Sequence, residues 1–101
     1  MKHKIALSPE ASSYYERIST QWGIADAAGE LTLSVAMQAL DRLREAQRLI
    51  ERDGAVCKDR FGQLRCHPAA QLEKESRAGL LLALKSLGLD LESLGGGADA
   101  T

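Results

Sequence analysis

Cys57, Cys66 and His67 come nearest, among the residues of this chain, to a set that could do metal chemistry. Structural zinc takes four ligands, and these supply three, with His3 far away in sequence, so no bound metal or other cofactor is expected. The simpler expectation is a hairpin in which the two cysteines fall roughly opposite each other, as small apolar cross-strand neighbours able to bridge under oxidation. His67 precedes Pro68 and has no serine or cysteine nucleophile with an orienting acid beside it, which makes it a helix-start residue rather than a base. Gly95-Gly96-Gly97 is followed by Ala98 and by no lysine, so it is not a phosphate-binding loop. The carboxylate pairs Asp41/Glu45 and Glu73/Glu75 sit among arginines and lysines, where solvated surface explains them. No reaction is indicated, and the chain is expected not to be an enzyme.

Binding chemistry is better represented. Three groups of bases could meet phosphate: Lys2 and Lys4 at the amino end, Arg42, Arg44 and Arg48 on a long helical stretch, and Lys58, Arg60 and Arg65 around Gly62. The helical group is balanced by nearby acids, and ordinary surface charge accounts for it better. The group around Gly62 has Asp59 as its one acid and is the better candidate. Net charge is −1, from 13 basic and 14 acidic residues, so any DNA contact must come from such a local patch rather than a broad positive field.

The elements that position these residues read as helices. The chain has 101 residues, 45% of them hydrophobic but only 4% aromatic, which suits one domain with a core of Leu, Ala and Ile. Ser8-Pro9-Glu10 is a helix start, with a capping hydroxyl, proline at the first helical position and an acid near the positive end of the dipole. Ala11, Tyr15, Ile18 and Trp22 then recur at helical spacing, predicting a helix over Pro9 to Trp22. A longer second helix begins between Asp26 and Thr32 and runs to Asp53, with Gly54 as its stop. It carries one apolar stripe of Leu33, Met37, Leu40, Leu43 and Ile50 and another of Val35, Ala39, Ala46 and Leu49. An arc that wide calls for two packing partners, from this chain or from a second subunit. Ala55 to Cys66 predicts a small β-hairpin, and His67-Pro68 opens a third helix with Leu72, Leu80, Ala83, Leu84 and Leu87 on one face and Gly88 at its end. Leu89-Asp90-Leu91-Glu92-Ser93-Leu94 predicts a last helical turn with leucines for a partner groove. The expected fold class is all-α: a long central helix, a helical hairpin arrangement and a β-hairpin between the second and third helices. Residues 1–94 are expected to form one oligomerisation domain and 95–101 a mobile tail. No apolar run approaches the ~20 residues that span a bilayer, and no signal-peptide core is evident, so a cytoplasmic protein without membrane contact is expected.

With these features in place, the chain resembles the terminase small subunits of tailed bacteriophages and prophages, in particular the P27-like group. The resemblance is carried by Leu7-Ser8-Pro9-Glu10-Ala11, Ala39-Leu40-Asp41-Arg42 through Glu45-Ala46, Gly54, the polar hairpin with Gly62, His67-Pro68 and Leu87-Gly88-Leu89-Asp90. It covers roughly Leu7 to Leu94, through the order and spacing of elements. It implies a non-catalytic DNA-packaging factor of the bacterial host cytoplasm. Such a factor forms a ring-like homo-oligomer, recognises double-stranded viral DNA at the packaging site and passes it to the large terminase subunit, which holds the ATPase and nuclease. On that basis Lys2, Lys4, Lys58, Arg60 and Arg65 are candidate DNA contacts, and Val35, Ala39, Ala46, Leu49, Leu91 and Leu94 are candidate oligomer contacts. The alternative is a small helical protein–protein interaction module, an adaptor or prophage remnant, without DNA affinity.

Overall fold

The computed structural model describes residues 6–88. Three helices, α1 (Pro9–Trp22), α2 (Ala27–Asp53) and α3 (Ala69–Ser86), carry the fold, and strands β1 (Val56–Lys58) and β2 (Leu64–Cys66) lie between α2 and α3. This is the architecture expected from the sequence.

Local chemistry sets the boundaries. Ser8 caps α1 by accepting the Ala11 N–H at 3.1 Å, and Pro9 follows at a position where its missing N–H costs nothing. Gly23, at φ 63°, turns the chain out of α1, while the Ile24 N–H returns to the Ser19 carbonyl at 3.0 Å. Asp26 caps α2 by accepting the Gly29 N–H at 2.9 Å. A Cβ on Gly29 would lie 2.8 Å from both the Asp26 carboxylate and the Ile24 side chain, so a larger residue there would have to push the Asp26 cap and Ile24 aside. Within α3, Pro68 sits just ahead of the first helical residue, and the cap comes from His67, whose Nδ1 accepts the Ala69 N–H at 2.9 Å.

The long helix is the platform. Ala11 of α1 and Leu33, Ala36, Met37 and Leu40 of α2 form the buried centre, with Leu7, Tyr15, Ile18, Ile24, Leu80, Ala83, Leu84 and Leu87 packed around it. The end of α3 returns to the start of α2, where Ser86 and Leu87 share a cleft with Ala28, Gly29 and Thr32, so these two helices run antiparallel. Trp22 departs from its expected place in the α1 stripe: it is 37% exposed at the rim of that cleft. Two polar clamps hold α1 on α2. Asp41 accepts from both the backbone N–H (2.9 Å) and the hydroxyl of Ser8, and Arg44 straddles the Glu10 carboxylate at 2.9–3.2 Å. Asp41 is therefore a docking residue rather than simple solvated surface. None of the described helices is long and apolar enough to cross a membrane.

Candidate nucleic-acid interface

The hairpin is built around Asp59. Its carbonyl accepts the Gly62 N–H at 3.0 Å, and Gly62 takes φ 80°, a conformation that closes the turn at little cost only for glycine. Its carboxylate accepts the N–H groups of Phe61 (2.8 Å) and Gln63 (3.0 Å) on one oxygen and the Arg65 guanidinium (2.8 Å) on the other. These donors, Arg65 first and then the backbone N–H groups, hold the Asp59 carboxyl below the usual carboxylate range.

The ladder pairs Val56 with Cys66, Cys57 with Arg65 and Lys58 with Leu64. The expected cross-strand cysteine pair is thus displaced by one residue. Because side chains alternate faces along a strand, Cys57 and Cys66 lie on opposite faces of the ribbon, and the hairpin as folded does not bring them together for a disulfide. Both are free thiols, Cys57 half-buried and Cys66 exposed. Among the described residues, no cluster of three or more His, Cys, Asp or Glu side chains could hold a metal ion.

The candidate DNA contacts separate in this frame. Lys58 and Arg60 are exposed, and no carboxylate pairs with either among the described residues. Arg65 is also exposed, but its charge is matched by Asp59. Lys2 and Lys4 lie outside the described residues. On α2, Arg48 pairs with Glu45 at 3.1 Å as ordinary surface charge, Arg44 belongs instead to the clamp on Glu10, and Arg42 is exposed with no ion pair among the described residues. Sequence reasoning passed over Phe61, which is 75% exposed at the tip of the turn with the Arg60 guanidinium 5.3 Å from its ring centroid. An aromatic between an arginine and a turn glycine was the available signal.

The candidate oligomer contacts divide as well. Ala39 and Ala46 are buried inside the chain, 5% and 0% exposed, so they are not open to a second subunit in this conformation. The physical reason is that α1 and α3 both rest on α2 and cover this part of its wide apolar arc from within the chain. Leu49 is half-buried, and Val35 remains open at 48% with Leu31 one turn before it at 68%. Leu91 and Leu94 lie outside the described residues.

At the hairpin's base, His67 accepts the Ala69 N–H on Nδ1, and its Nε2 lies 2.8 Å from the Asp53 carboxylate. This ties the end of α2 to the start of α3, a structural role consistent with a helix-start residue. Arg52 and then His67 hold Asp53 well below the usual carboxylate range. Searches of protein-family models, curated proteins and solved structures return no match to the chain.

Proposed function

We propose that this chain is the non-catalytic small subunit of a phage or prophage terminase, which self-associates, contacts double-stranded viral DNA at the packaging site and delivers it to the large ATPase and nuclease subunit. The observation that carries the DNA-binding part is the hairpin tip. Lys58 and Arg60 stand exposed without carboxylate partners among the described residues, on a two-stranded ribbon of a width that a DNA groove admits. Two phosphate contacts per subunit are weak alone, but repetition around an oligomer multiplies them and steepens the salt dependence by about 0.9 per phosphate engaged. Self-association is supported by uncovered apolar side chains, Leu31 and Val35 on α2 and Leu81 and Leu82 on α3. The order of elements resembling the P27-like group supplies the packaging role. Its Ser8, Glu10, Asp41 and Arg44 are the four residues that clamp α1 to α2.

Light scattering on the full chain, together with fluorescence anisotropy against phage-end duplexes over a salt series, tests the proposal. An oligomer that binds DNA with a steep salt slope is the expected result, and a monomer at tens of micromolar without DNA affinity refutes it. The second reading, an adaptor that binds protein alone, is favoured by the exposed apolar ladder face of Val56 and Leu64 and by the internal pairing of Arg65. An oligomer or protein complex without DNA affinity would decide for it.

A further inference from the structure

We propose that Phe61 is a stacking wedge, entering a base step of duplex DNA while Lys58 and Arg60 meet the flanking phosphates. The inference rests on the DNA-binding part of the proposed function and deepens it, by naming the residue that deforms the duplex and the nucleobase stack as what it recognises.

The fold has no use for an aromatic ring at this point. Phe61 is 75% exposed and lies outside the buried cluster formed by α1, α2 and α3. The turn does not require one either, because the second central position of a tight turn accepts most residues and Gly62 supplies the positive φ. What the turn does provide is rigidity. The N–H of Phe61 is bound by the Asp59 carboxylate, Gly62 closes onto the Asp59 carbonyl, and Gln63 is bound on both its N–H and its carbonyl. A ring on a fixed backbone, carried beyond the last ladder pair of a narrow ribbon, loses little conformational freedom on insertion.

Charge selects the occupant. Between Ala55 and Cys66 there are three bases and one acid, and that acid is turned inward onto Arg65 and the turn amides, leaving Lys58, on the last ladder pair, and Arg60, against the ring, without it. The planar Arg60 guanidinium lies over the Phe61 ring, and from this position it can reach a phosphate or stack with the neighbouring base. An apolar wedge flanked by cations is the combination with which architectural proteins unstack and kink DNA.

The test uses the full chain, a closed circular plasmid of mixed sequence relaxed by a topoisomerase in its presence, and a short labelled duplex for anisotropy. Insertion unwinds the duplex, so wild type should leave the plasmid with an altered linking number. Phe61→Ala should abolish that change and weaken duplex binding by roughly ten- to a hundredfold, the range of one stacked base, with the salt slope unaltered. Phe61→Trp should keep both properties. If Phe61→Ala retains the linking change and the affinity, or if its main effect is to reduce oligomer mass in light scattering, the wedge is wrong while DNA binding by wild type stands. Absence of duplex binding by wild type at low salt would remove the DNA reading and the wedge together.

Discussion

Replacing Asp41 by alanine should destabilise the fold more than breaking the ion pair beside it. The Asp41 carboxylate accepts two hydrogen bonds from Ser8, one from its N–H at 2.9 Å and one from its hydroxyl, in a half-buried position between α1 and α2. Hydrogen bonds to a charged group contribute about 1.5–3 kcal/mol each, and losing both would cost about 2–4 kcal/mol after partial replacement by water. The Ser8 hydroxyl would still cap Ala11, so α1 should persist as a helix but lose part of its docking. Arg44→Ala removes the Glu10 pair instead, whose side chains are 40% and 39% exposed, and solvent screening limits that loss to about 1 kcal/mol or less. Urea unfolding followed by circular dichroism should therefore rank the midpoints as wild type, Arg44→Ala, then Asp41→Ala, at similar slope. Equal losses, or a larger loss for Arg44→Ala, would refute the assignment of Asp41 as the main clamp.

Three further outcomes are expected. Ala46→Asp places an unpaired charge at a fully buried site and should unfold the chain or cost about 3 kcal/mol or more, whereas Val35→Asp should leave helicity nearly unchanged and lower the oligomer mass in light scattering. Asp53 and Asp59 have folded pKa values below the ordinary carboxylate value of about 4. Their contribution to stability is complete above that value and is lost as pH falls through it toward the folded values, so Asp59→Asn should flatten the acid limb of a pH–melting curve. An acid limb identical to wild type would contradict this. Mild oxidation should give no intramolecular Cys57–Cys66 disulfide by peptide mapping while the fold is intact, because the register sets the two thiols on opposite faces, and any cross-link should run through exposed Cys66 between molecules.

Local chemistry made most of the fold legible. Ser8-Pro9, Asp26, Gly54 and His67-Pro68 lie at element ends in the structure as their types predict, since caps, proline and glycine act within a few residues of themselves. The two stripes on α2 were legible as well, but not what covers them. The hairpin lies where the sequence predicts it, but the register that sets Cys57 opposite Cys66 is wrong by one residue: such a slip leaves composition unchanged and moves side chains to the other face, which separates the two cysteines.

The candidate site divides along the same line. The sequence alone determined that bases cluster around Gly62 and that an aromatic stands among them. Tertiary structure decided which charges remain open, because whether an arginine meets a carboxylate depends on where the backbone brings it: Arg65 onto Asp59, Arg44 onto Glu10 across 34 positions, and Arg60 onto no acid among the described residues. It also decided that the alanines of the second α2 stripe face inward. Apolar periodicity says that a face must be covered, and only the path of the chain says that α1 and α3 cover it.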